Sequence, residues 1–118
     1  MNIEDLRNFC LSLQGTEEGF PFDESTIVFK VKGKLYCLTN IDNFNLVNVK
    51  CDPEKAIELR EQFEAVIPGY HMNKKHWNSL LMNGTLSASF IKKWVTHSYE
   101  LIIASLPKKD RLELGEVD

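Results

Sequence analysis

The sequence has no apolar run approaching the ~20 residues that a membrane-spanning helix needs. It has no C-x-x-C pair, no G-x-G-x-x-G, no P-loop and no serine in a nucleophile-elbow setting. These absences remove the local signatures of zinc, thioredoxin-type, dinucleotide, nucleoside-triphosphate and α/β-hydrolase sites. Basic charge is in deficit, with 14 Lys and Arg against 17 Asp and Glu, a net charge of −3 and a pI of 5.6. An acidic chain binds nucleic acid only through a local patch, so that patch must be found before the function is entertained. Cysteine is scarce and odd in number: Cys10, Cys37 and Cys51. Free cysteines of this kind are usually buried and reduced, which suits a reducing cytosol. The opening Met1-Asn2-Ile3-Glu4-Asp5 carries acid where a secretory signal begins basic, so a cytoplasmic location without membrane contact is expected. Internal repeats and low-complexity segments are absent too.

What is there suits one domain. A chain of 118 residues, 43% hydrophobic and 26% charged, buries roughly two-thirds of its unfolded surface without needing disulfides or metal. Residues 1–118 are read as that single domain, with a charged tail, 108–118, that frays.

Ile3, Leu6, Phe9, Cys10 and Leu13 recur at helical spacing behind Asn2, a good N-cap, and Gly15 marks the stop. Residues 26–51 alternate as a three-stranded meander. A two-residue turn at Gly33-Lys34 would pair Val31 with Tyr36 and Phe29 with Leu38. A turn at Asp42-Asn43 would pair Leu38 with Val47 and Tyr36 with Val49. One face then holds Ile27, Phe29, Val31, Tyr36, Leu38, Val47 and Val49; the other holds Lys30, Lys32, Thr39, Asn48 and Lys50. Leu35, Ile41, Phe44 and Leu46 fall on that second face as well, so another element or a partner should cover part of it. Asp52-Pro53-Glu54 starts a second helix. A hairpin is expected from Tyr70 to Met82 with its tip near Asn73-Lys74-Lys75, and a third helix from about Ser87 to Leu106, closed by Pro107. The order α-βββ-α-ββ-α implies an α+β domain, with a mainly antiparallel sheet of about five strands and three helices packed on one face.

The densest unusual cluster is Pro68-Gly69-Tyr70-His71-Met72-Asn73-Lys74-Lys75-His76-Trp77. Lysines at a hairpin tip suit phosphates, and Tyr70 or Trp77 suits stacking on a base. The plainer reading is a solvated lysine tip with its aromatics anchored in the core. His71 and His76 lack a carboxylate or cysteine near them in sequence to complete a metal site, and His97 reaches them only through the tertiary fold. Glu17-Glu18 and Asp23-Glu24 read as a solvated acidic loop.

At this point the residues resemble the MmcQ/YjbR family of small bacterial proteins. The likeness runs through Phe20-Pro21-Phe22-Asp23-Glu24, Val28-Phe29-Lys30-Val31, Val49-Lys50-Cys51-Asp52-Pro53, the Pro68–Trp77 stretch, Ser98-Tyr99-x-Leu101 and Leu106-x-Lys108-Lys109. The resemblance implies a compact fold similar to the bacterial frataxin homologue CyaY. It also implies DNA binding through two hairpin wings, with weak sequence preference. The positions it carries over are His71, Asn73, Lys74, Lys75, His76 and Trp77, with Lys30, Lys32 and Lys50 as a second surface. Iron binding does not carry over, because the first helix shows only Glu4 and Asp5 rather than an extended acidic ridge. The expectation is therefore a non-enzymatic, monomeric DNA-binding protein without cofactor or metal. The alternative is an adaptor for a protein or small ligand, with no nucleic-acid role. An enzyme would require Tyr70, His71 and His76 to converge with a carboxylate or cysteine.

Overall fold

The computed structural model describes residues 1–115 and resolves the two hydrophobic periods into helices and one sheet. Helix α1 (Ile3–Ser12) begins at Asn2, whose side chain accepts from the Asp5 N–H while the Asp5 carboxylate accepts from the Asn2 N–H. Helix α2 (Pro53–Gln62) is capped by Asp52, and α3 (Ala88–Ser105) by Ser87; α3 stops just before Pro107. Strands β1 (Thr16–Gly19), β2 (Thr26–Val31), β3 (Lys34–Asn40), β4 (Leu46–Lys50), β5 (Val66–Pro68) and β6 (Trp77–Leu81) form one antiparallel sheet in the order β1-β2-β3-β4-β6-β5. Leu6 and Cys10 of α1, Ala56 and Leu59 of α2, and Ile91, Val95 and Ile102 of α3 share one core with Ile27, Phe29, Val47, Val49 and Leu80 of the sheet. The α+β class and the helices on a single face are as the sequence implied.

Four readings need correction. The sheet has six strands among the described residues, because Thr16–Gly19, read as an acidic loop, pairs with β2. Glu18 there takes a bidentate ion pair from Arg7 of α1 (2.7 and 2.5 Å), while Glu17 lies opposite Lys30. The second hairpin is β5–β6 rather than Tyr70–Met82, and its connection is a folded loop instead of a tight tip. The first turn is centred on Lys32-Gly33, both with positive φ (50° and 77°), and Val31 faces Lys34. Finally, the charged stretch expected to fray forms helix α4 (Lys108–Glu113), whose carboxylate at Glu113 pairs with Lys32 and whose neighbour Leu114 packs on the core; residues 116–118 of that stretch lie outside the described residues.

The turn shifts the pairing by two residues and keeps the faces; a β-bulge at Tyr36 then changes them. Phe29 pairs with Cys37 and Lys30 with Leu35, so Tyr36 is the extra residue on β3. Tyr36 and Cys37 both enter the core, and every later position of β3 changes face. Leu38, expected in the core, pairs with Val28 and Asn48 on the helix-free face. Thr39, expected outside, pairs with Ile27 and Val47 on the helix face, where its hydroxyl donates to the Leu46 carbonyl (2.7 Å). Ser98 of α3 stitches the bulge. Its Oγ donates to the Tyr36 carbonyl (2.5 Å) and accepts from the Lys50 N–H (2.9 Å), two backbone groups left without ladder partners. Sequence periodicity gave no sign of this role.

Candidate functional site

The face of the sheet away from the helices carries Val28, Lys30, Leu35, Leu38, Asn48, Lys50, Trp77, Ser79 and Leu81 by strand alternation. Val28, Leu38, Asn48 and Ser79 are nonetheless buried. No helix covers them; two loops do.

The first is the 69–76 loop, the densest cluster of the sequence. It is tied down at nearly every residue. The Gly69 N–H donates to the Trp77 carbonyl (2.8 Å), and the Tyr70 N–H to Ser79 Oγ (2.9 Å), which in turn donates to Asn48 Oδ1 (2.5 Å). Asn73 organises the far end. Its Oδ1 accepts from the Lys75 N–H (2.9 Å), and its carbonyl accepts from the His76 and Trp77 N–H groups (3.2 and 3.0 Å). The Lys74 ammonium folds back toward the Gly69 carbonyl (3.4 Å), and Arg60 of α2 donates to the Lys74 carbonyl (3.1 Å). The His76 carbonyl accepts from the Cys51 N–H (2.7 Å). Gly69 allows this close fold: a Cβ there would stand 2.7 Å from the Trp77 Cβ and 2.9 Å from its carbonyl oxygen. The loop therefore turns back over the open face. His71 holds a strained φ of 58°, with its ring 4.0 Å from that of Tyr70.

The second loop is 20–25. Asp23 accepts from the Thr26 N–H (2.6 Å) and the Ser25 N–H (2.9 Å), and these bonds hold its carboxyl below the ordinary carboxylate range. With that turn fixed, Phe22 stands in solvent at 68% exposure.

Between the two loops lies a cleft of about 570 Å³. Leu38, Leu46 and Met72 supply apolar surface; Asn40, Asn43, Asn45 and Asn48 supply amides; Phe22, Tyr70 and His71 supply rings. Among the described residues, no Lys, Arg, Asp or Glu lines it. Because Ser79 donates to Asn48 Oδ1, the NH2 end of that amide is its half without a partner among the described residues.

The expected site residues divide into three groups. His71 enters the cleft. Asn73 and His76 serve the loop, and Trp77 pairs with Lys50 at the start of β6. Lys30, Lys50, Lys74 and Lys75 lie toward one end of the sheet, the end where β2 turns into β3 and where the 69–76 loop begins; Lys32 is at that end too, ion-paired with Glu113. Phe22, Leu38, Asn40, Asn43, Asn45 and Asn48 were missed as site residues. Phe22 had a signal, an aromatic between proline and a turn-forming aspartate. The amides had none until the register was known.

Two other features draw attention without forming a comparable site. A groove between α2 and α3 is edged by Lys55, Glu58, Lys93, His97 and Glu100, so its charges are mixed. His97 Nε2 accepts from the Asp52 N–H (3.2 Å), and burial, with Lys55 nearby, holds its pKa below the ordinary 6.5. All three cysteines are buried, and burial pushes the Cys51 thiol up to about 11. Among the described residues, no three of His, Cys, Asp and Glu come together as a metal set, and no helix is long and apolar enough to cross a membrane.

The YjbR family model matches residues 11–101. The chain belongs to the YjbR family. It is 32% identical to the Escherichia coli (strain K12) protein YjbR over 94% of this chain and 95% of that one. It is 31% identical to YbdF of Escherichia coli O157:H7, over 92% of this chain and 89% of that one. The crystal structure of the Deinococcus radiodurans protein DR2400, a DUF419 domain, superposes with a TM-score of 0.91 at 39% identity, covering 99% of this chain and 90% of the other. A Pseudomonas syringae protein superposes at 0.73 and 28% identity, over 86% and 98%. In this YjbR-family chain, two of the stretches that suggested the family, Phe20–Glu24 and Pro68–Trp77, lie far apart in sequence and meet at the same cleft through Phe22 and through Tyr70, His71 and Met72.

Proposed function

We propose that this YjbR-family protein is a non-enzymatic nucleic-acid-binding domain whose contact surface is the helix-free face of the sheet. One observation carries the reading. A cleft with exposed rings adjoins an end of the sheet that presents Lys30, Lys50, Lys74 and Lys75. Lysines suit phosphates and exposed rings suit bases. A walled cleft favours an unpaired strand over a duplex, because only unpaired bases offer their faces for stacking. The non-enzymatic part is supported by the lining, which among the described residues joins Tyr70 and His71 to no carboxylate or cysteine.

The test is fluorescence anisotropy with labelled single-stranded and duplex oligonucleotides at low and near-physiological salt. Single strands should bind more tightly, with affinity falling steeply as salt rises. Lys50→Glu with Lys75→Glu should weaken binding and flatten the salt dependence by roughly one unit of log–log slope per lost contact. Binding that ignores both substitutions, or no binding at low salt, would sink the reading.

A second reading, a small-ligand or partner-binding adaptor without a nucleic-acid role, is favoured by the uncharged lining of the cleft and the net charge of −3. Oligonucleotides that fail to bind at any salt would leave this one standing.

A further inference from the structure

The chemistry of the cleft differs from that of the lysine end, and the difference specifies a ligand. We infer that the cleft is a pocket for one planar, uncharged heteroaromatic ring of the nucleobase class, able to hold it without any phosphate. The inference takes the cleft as the contact site, as the proposed function does, but does not depend on the lysines.

Three observations define the ring. First, among the described residues no Lys, Arg, Asp or Glu lines the cleft, and its ionisable side chains are Tyr70 and His71, so a charged ligand group placed there would lose hydration without gaining a carboxylate, ammonium or guanidinium counter-charge. Second, the cleft is mostly apolar, with Leu38, Leu46 and Met72 among its walls. A polyol would set hydroxyls against that surface unpaired, whereas a flat heteroaromatic offers two apolar faces and a polar edge. Third, four of the lining residues, Asn40, Asn43, Asn45 and Asn48, carry amides, beside the hydroxyls of Thr26 and Thr39. A carboxamide carries donor and acceptor side by side and matches the paired donor and acceptor on a base edge. Asn48 is fixed as a donor, since the Tyr70 N–H, Ser79 and Asn48 form a chain that engages its oxygen and leaves its NH2 end for an acceptor on the ring edge. Phe22 and Tyr70, 68% and 57% exposed, are the stacking faces. They come from opposite flanks of the β3–β4 floor, one before β2 and the other before β6. The volume of about 570 Å³ lies within the usual range for small-molecule sites.

The test titrates 15N-labelled protein with adenosine, guanosine and uridine, using ribose, an aliphatic alcohol and inorganic phosphate as controls. At least one nucleoside should shift the Asn48 and Tyr70 resonances, with ring-current shifts on its own base protons. Ribose and phosphate should do neither. Phe22→Ala and Tyr70→Ala, each at a solvent-facing position, should each weaken binding about tenfold or more while leaving the amide spectrum of the fold intact. Raising the salt, or introducing Lys50→Glu with Lys75→Glu, should leave nucleoside affinity unchanged within about twofold. No nucleoside binding at millimolar concentration, or binding that ribose or the alcohol reproduces, would overturn the inference. So would shifts mapping to the α2–α3 groove. The two ideas separate cleanly. Oligonucleotides that bind while nucleosides do not would refute the pocket and leave the nucleic-acid reading in place. Nucleosides that bind while oligonucleotides do not would do the reverse.

Discussion

The two faces of the sheet are built from the same strands and treated in opposite ways. The helix face is sealed by α1, α2 and α3, and several of its polar groups serve structure: Ser98 on the bulge, Thr39 on the Leu46 carbonyl, the Asn78 NH2 on the Ala56 carbonyl (3.3 Å). The other face is bordered by two short loops, and the cleft between them keeps exposed rings and the NH2 end of Asn48, although the fold engages the amide oxygens of Asn40 and Asn48. Stability therefore resides on one side, and the capacity to bind on the other. Substitutions can test that division.

Ser98→Ala should do the most damage. It leaves the Tyr36 carbonyl and the Lys50 N–H buried without partners, at about 1–3 kcal/mol each. Chemical denaturation should show a loss of roughly 2–4 kcal/mol. A loss below about 0.5 kcal/mol would mean that water or a backbone shift replaces the hydroxyl.

Gly69→Ala reaches the boundary between the two faces. The added methyl meets backbone as well as the Trp77 Cβ, so the loop must lift or strain by about 1–3 kcal/mol. Its particular signature should be faster hydrogen exchange at the Tyr70 and Met72 amides, with the core amides unchanged. Uniform acceleration would tie the loop to global stability and blur the comparison.

His97 supplies a pH handle on the sealed side. Its pKa is depressed when folded, so the neutral form is the native one, accepting from the Asp52 N–H. Above the unfolded value of 6.5 both states hold a neutral ring, and this contribution is complete. As pH falls below 6.5 the unfolded chain takes up the proton first, and stability declines until the folded pKa is passed. Thermal midpoints measured between pH 7.5 and 5 should therefore fall less steeply in His97→Gln than in the parent, and parallel curves would count against this assignment.

The smallest stability effect should be Phe22→Ala. At 68% exposure the ring contributes little to the fold, and the change should stay within about 0.5 kcal/mol. A larger loss would show that the cleft rim is structural and that the two faces are less distinct than they look.

Much of the fold could be read locally. Asn2 and Asp52 announced their helices because a capping side chain bonds to a backbone N–H three residues away, and the apolar stripe announced α3. Pro107 ended α3 for a similarly local reason, and alternation gave the strands. Thr16–Gly19 escaped because a four-residue polar edge strand has no apolar period to betray it. Loop 69–76 was recognised by composition and misjudged in shape, since the bonds that fold it back run to Ser79, Cys51 and Arg60 rather than to neighbours in sequence.

By itself, then, the sequence determined helices α1 to α3, the antiparallel class, the burial of the cysteines and the family, because caps, turns and periodicity act over a few residues. Only the tertiary structure decided which side chains meet. One extra residue at Tyr36 moves Leu38 to the open face and Thr39 to the core, and a step of this kind is set by what packs against the strand, here Ser98 and Tyr99 of α3. The cleft exists because that step and two distant loops coincide, and no local rule encodes a coincidence of long-range contacts.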